Sequence, residues 1–109
     1  MPDTYYSTDY FSFVWDENKN QLNLKKHGID FQTGALVFND YMRIEFPDPS
    51  HSEDEERYRT IGLVHDMLAV VYCDRENVNT GNVDIRIISA RIATNAERKL
   101  YNDNVVGRR

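Results

Sequence analysis

The sequence predicts an α+β domain: an antiparallel β-sheet with two N-terminal helices and one C-terminal helix. Three observations carry this. Residues 42–72 and 83–91 hold β-forming residues that alternate with polar ones or run continuously apolar. Connections within 42–72 are too short for crossovers, which calls for antiparallel pairing. Capped helical segments stand before and after this block rather than between its strands, so the helices are expected on one face of the sheet, leaving the other uncovered.

Taken in order, residues 1–10 are polar and tyrosine-rich without clear periodicity and read as a partly disordered extension. The single domain spans 11–104, and 105–109 is a tail. Phe11 to Trp15 suits a first strand. Asp16 caps a helix through His27, with Glu17 in its first turn, Lys25, Lys26 and His27 in its last, and Gly28 as the stop. Its apolar stripe is thin, resting on Leu22, Leu24 and Ile29. Asp30 caps a second helix, whose Phe31, Ala35 and Phe38 share a face and which ends at Asn39–Asp40.

Beyond this point the period becomes two. Met42, Ile44 and Phe46 alternate with Arg43 and Glu45 until Pro47–Ser50 turns the chain. Arg57–Val64 and Met67–Tyr72 form a hairpin about His65–Asp66, and the unbroken apolar run of the latter marks a central strand. After a polar loop comes the last strand, Val83–Arg91. Thr94 and Glu97 form a capping box that opens a final helix, fading at residues 102–104. The predicted order is βααββββα.

At 109 residues the chain has enough for one core, burying roughly two-thirds of its unfolded surface. No apolar run approaches the ~20 residues of a membrane helix, and residues 1–6 lack the pattern of a signal peptide, so a cytoplasmic protein without membrane contact is expected. Cys73, the only cysteine, lies in an apolar strand and reads as a buried structural thiol. Eighteen acidic against thirteen basic residues give a net charge of −5, unlike a protein held to nucleic acid by charge alone. The acids crowd into 48–56, however, while Lys25, Lys26, Arg86, Arg91, Arg98 and Lys99 lie elsewhere, which allows a local basic face.

The last strand is the most informative segment. Arginines on a stiff apolar strand are costly to bury, so Arg86 and Arg91 point to an anion-binding surface, and hence to phosphate and RNA. Strict alternation sets them on opposite faces, and only a twist or bulge brings them to one side. For Arg91, phosphate contact and a structural salt bridge stand equal; Arg86 reads as a partner of Glu55 or Glu56.

Five blocks carry a family resemblance: Trp15–Lys19, Asn23–Phe31, Glu55–Tyr58, Ile85–Arg91, and Glu97–Arg98 with Tyr101. Together they resemble the BrnT toxin family from about Phe13 to Asp103. The resemblance implies a RelE-like ribonuclease that cleaves mRNA and inhibits translation. It also implies a BrnA-like ribbon-helix-helix antitoxin that masks it, with operator DNA met only through that partner and a dimer or hetero-oligomer as the working species.

Cleaving RNA without a metal requires a base for the 2′-hydroxyl, cations for the phosphorane, and an acid for the leaving oxygen. Candidate catalytic groups are Arg91, Arg86, His27, Glu55 and Tyr101. An imidazole is the ordinary choice of base near neutrality, which suits His27, but at its place it equally complements a helix end; Glu55 needs a raised pKa to act as base and otherwise belongs to a solvated turn. Tyr101 either bonds the phosphate or packs. Lys25, Lys26, Arg57 and Arg98 are candidate RNA contacts. A metal site at His51, Glu53, Asp54 and Glu55 lacks a chelating spacing, and no metal or cofactor is expected. The alternative is a non-enzymatic module whose acidic segment holds a basic partner protein and so serves as its co-repressor.

Overall fold

The computed structural model describes residues 2–51, the side chain of His51 excepted, and 55–107. The described residues form a six-stranded sheet of β1 (Asp3–Ser7), β2 (Ser12–Asp16), β3 (Ile44–Pro47), β4 (Tyr58–Leu63), β5 (Met67–Glu76) and β6 (Val83–Ile92), in the spatial order β1-β2-β6-β5-β4-β3. The helices are α1 (Glu17–His27), α2 (Phe31–Ala35), which continues as a 3-10 turn at Leu36–Asn39, and α3 (Asn95–Gly107). The α+β class is as predicted. None of these helices is long and apolar enough to cross a membrane.

The sheet is mixed rather than antiparallel throughout. β2 runs parallel to β6, with Phe13 beside Ile85 and Val14 beside Arg86; the other pairings are antiparallel. Two helices and three strands separate the pair in sequence, far more chain than a parallel crossover needs. β2 also buries Phe13, Val14 and Trp15 in succession, as an interior strand covered on both faces does.

β2 gains its second neighbour from the segment expected to be a disordered extension. Asp3–Ser7 is an edge strand, joined to β2 by a turn in which the Thr8 N–H donates to the Phe11 carbonyl at 2.9 Å. Its Tyr6 packs on Phe13 and Trp15, with ring centroids 6.2 and 6.1 Å apart. The alternation of Thr4 and Tyr6 inward with Tyr5 outward is the strand period that the polar composition hides.

The helices also divide between two faces. One core, on the α1 and α2 side, contains Phe13, Trp15, Phe31, Phe38, Val70 and Ile87. A smaller one, on the other side, joins Tyr101 and Val105 of α3 to Ile61, Met67 and Ala69. The face expected to be bare is therefore covered at one end by α3, which continues to Gly107 and absorbs most of the expected tail. Ser52–Asp54 of the acidic turn, Arg108 and Arg109 lie outside the described residues, so the metal reading at 51–55 does too.

The predicted caps are present. Asp16 accepts from the Asn18 and Lys19 N–H groups at 2.8 and 3.2 Å, Asp30 accepts from Thr33 N–H at 2.7 Å, and Gly28 closes α1 with φ of 73°. The face α1 buries is polar, however: Asn20 and Asn23 lie inward while Leu22 and Leu24 are exposed. Because β2 ends at Asp16, the second half of β6 lacks a strand on that side, and Asn23 takes its place. Its Nδ2 donates to the Ala90 carbonyl at 2.7 Å and its Oδ1 accepts from the Ala90 N–H at 3.3 Å, while Nδ2 also reaches the Ile29 carbonyl at 2.8 Å. One side-chain amide thus satisfies both backbone groups of a strand residue.

Candidate functional site

The site begins with an irregularity in the β5–β6 ladder. Val71 lies opposite Ser89 but Tyr72 lies opposite Ile87, so Ile88 is an extra residue and β6 carries a bulge between its two arginines. Ile85, Ile87 and Ala90 consequently all join the core on the helix α1 side. Arg86, opposite Cys73, and Arg91, opposite Ala69, share the other face. Strict alternation places them apart, and the bulge overturns it.

Arg59 of β4, opposite Val71, projects from the same face. It meets Arg91 at one carboxylate. Glu97 Oε1 accepts from Arg91 Nη1 at 2.7 Å, and Oε2 accepts from Arg91 Nη2 at 3.0 Å and from Arg59 Nη1 at 2.9 Å. Asp48 holds the rest of the Arg59 fork, at 3.0 Å to Nε and 2.8 Å to Nη2. The predicted capping box completes the arrangement, since Thr94 N–H donates to Glu97 Oε1 at 2.8 Å and Glu97 N–H to Thr94 Oγ1 at 3.2 Å.

Glu97 is 4% exposed. Burial opposes its charge, but hydrogen bonds from Arg91, Thr94 and Arg59 outweigh it and lower its pKa to about 2. Two guanidiniums are thereby gathered around one buried carboxylate, with side chains 21% and 29% exposed toward solvent. Such a pair presents fixed N–H donors to a phosphate without spending side-chain entropy on binding.

The remaining candidates are placed as follows. Arg86 pairs with Asp3 at 3.2 Å, not with Glu55 or Glu56, because the N-terminal strand supplies the nearer carboxylate. Glu55 lies 3.2 Å from Arg75 and 3.9 Å from Arg57. Burial raises its pKa, but the Cys73 thiol and the two arginines prevail, so it is lowered overall; burial and Glu55 raise that of Cys73. The raised carboxylate pKa that Glu55 was expected to need is absent.

Tyr101 is buried under α3 and donates to Asp40 at 2.6 Å; burial and that carboxylate raise its pKa to about 12. It is packed, and its hydroxyl is engaged. His27 and Lys26 line a shallow groove with Lys19, Asn23 and Ser89, along the free edge of β6. Lys25 and Arg98 are exposed. The structure therefore gathers Arg86, Arg91, Arg57 and Glu55 on or beside one face, sets His27 and Lys26 at its rim, and buries Tyr101 under α3 at the covered end of that face.

Sequence reasoning overlooked Arg59 and Glu97 as site residues. Arg59 satisfies the criterion applied to Arg86 and Arg91, a guanidinium inside a β-run, and was legible in Tyr58-Arg59-Thr60-Ile61. Glu97 reads from sequence as a cap and as part of the family resemblance, not as a site residue.

The profile of the family described as ribonuclease toxin, BrnT, of type II toxin-antitoxin system matches residues 15–97. The chain belongs to the BrnT toxin family. The match takes in β2, the bulged β6 with Arg86 and Arg91, and the start of α3 as far as Glu97. Among curated proteins, none matches. Membership of the BrnT family makes the chain a type II ribonuclease toxin by class, with an antitoxin as partner and RNA as substrate.

Proposed function

We propose that this chain cleaves mRNA by metal-independent transphosphorylation, leaving a 2′,3′-cyclic phosphate and so stopping translation in the cytoplasm. The observation that carries this is the bulge at Ile88, which puts Arg86 and Arg91 on the face of Arg59. The Arg59–Arg91 pair takes the scissile phosphate and stabilises the charge that grows on its oxygens. Arg86, roughly 15 Å away by strand rise, holds a neighbouring phosphate.

Glu55 lies beside this face, in contact with Cys73, the residue opposite Arg86, but its lowered pKa unsuits it as the base, so His27 at the rim is the proposed proton acceptor for the 2′-hydroxyl. Lys26 and His27 guide the strand along the free edge of β6. A ribbon-helix-helix antitoxin masks the face, and operator DNA is reached only through that partner.

End-labelled RNA incubated with the protein in excess chelator tests the chemistry. Cyclic phosphate ends are expected, and Arg91→Lys should slow cleavage at least tenfold by breaking the bidentate geometry; 3′-hydroxyl ends would overturn the mechanism. The base is tested by pH. An acid limb of kcat/KM below 4.5 would return the step to Glu55, whose pKa is lowered, whereas a limb abolished in His27→Gln supports His27.

One observation favours a second reading: Arg59, Arg75, Arg86 and Arg91 each already have a carboxylate partner. A non-enzymatic partner protein would use the same face for an acidic or mixed-charge surface. Growth arrest that survives loss of Arg91, Arg86 and His27 together would favour it.

A further inference from the structure

The opposite side of the sheet carries a different kind of hollow. Where the β1–β2 turn meets the end of the 3-10 turn, two adjoining cavities of about 340 and 430 Å³ share Phe11, Phe38 and Tyr41 in their walls. Tyr10 and Tyr41 are 88% and 86% exposed, an unusual state for two aromatic rings flanking one cleft. Asp9, Asp40 and Glu45 add three carboxylates, and Arg43, the one cation among the described residues that line it, already pairs with Glu45 at 2.7 Å. Asp40 accepts from Met42 N–H, Leu63 N–H and the Tyr101 hydroxyl, all uncharged donors, so among the described residues it keeps a negative charge at the wall of the cleft.

We propose that this cleft is a docking site for an arginine or lysine side chain of a protein partner. Aromatic faces attract a cation through their quadrupoles, and nearby carboxylates strengthen that attraction while repelling phosphate. The wall already displays the geometry once: the Arg43 guanidinium carbon lies 4.7 Å from the Phe38 ring centroid. Charge disfavours RNA as the occupant, and a purely apolar segment would leave the charge of Asp9 unmatched.

Glu45 lies in the register row of Thr60 and Val70, opposite to the row of Arg59, so the cleft and the arginine face are on different sides of the sheet. A partner anchored here is tethered without plugging the arginine face. The inference rests on the chain having a protein partner and not on its ribonuclease chemistry.

Titrating the full-length chain with tetra-arginine amide, followed by the ring resonances of Tyr10 and Tyr41, tests it. Saturable shifts of both rings are expected, with affinity at least fivefold weaker in the Tyr10→Ala, Tyr41→Ala double variant, which keeps every charge. Equal affinity in the two proteins, or shifts absent from these rings, would overturn the proposal. So would tighter binding of hexauridylate or spermidine, which would assign the cleft to RNA or to polyamines. An inactive chain that still binds the peptide supports the cleft and defeats only the ribonuclease reading.

Discussion

Glu97 joins secondary structure to the site through one side chain. Its folded pKa of about 2 lies below the ordinary value of 4.5, so its stabilising effect is complete above pH 4.5 and disappears as pH falls from there toward 2. The difference corresponds to roughly 3 kcal/mol at neutral pH. Glu97→Gln should therefore lower stability by about that amount at pH 7, measured by urea unfolding, and match the unsubstituted protein near pH 2. A gap that persists unchanged in acid would show that the carboxylate charge is not what stabilises. At this scale the sequence was partly legible: the Thr94–Glu97 spacing identifies the cap, whereas the meeting of Arg59 and Arg91 at that carboxylate depends on residues 38 and 6 positions away and no local pattern records it.

Among the elements, β6 and α1 show how regular periods mislead. Counting by two along β6 separates Arg86 from Arg91, and one unpaired residue, Ile88, reverses the outcome; neither glycine nor proline marks the bulge. In α1 the caps were readable, but the buried face was not, because asparagine is ordinarily a surface residue and Asn23 is inward only for want of a neighbouring strand. Replacing Asn23 with Leu should cost about 2–4 kcal/mol, since the Ala90 N–H and two carbonyls lose their partner in a buried setting. Hydrogen exchange checks this directly. The Ala90 amide should lose protection in the variant while amides of the β4–β5 ladder keep theirs relative to the global transition.

For the whole molecule, a net charge of −5 and a cationic site coexist because the arginines of the open face are interleaved with Asp3, Asp48, Glu55 and Glu97. RNA entering that face exchanges carboxylate contacts for phosphate ones and releases few counterions. Binding to a non-cleavable 2′-deoxy oligonucleotide should therefore show a shallow salt dependence, a slope of log K against log salt near −2 for about three phosphates. A slope of −5 or steeper would move the interface to the exposed lysines of α1. Periodicity made the α+β class readable, while the second core under α3 and the mixed topology were not, since nothing in residues 12–16 states which distant strand they will join.

That parallel neighbour has a consequence for biogenesis. Val14 sits beside Arg86, and Asp3 binds the same arginine, so β1 and β2 find their full set of neighbours only after residue 86 has left the ribosome. No nascent fragment that stops short of β6 contains the assembled guanidinium surface, so the face and its bulge appear together, late relative to the strands they join.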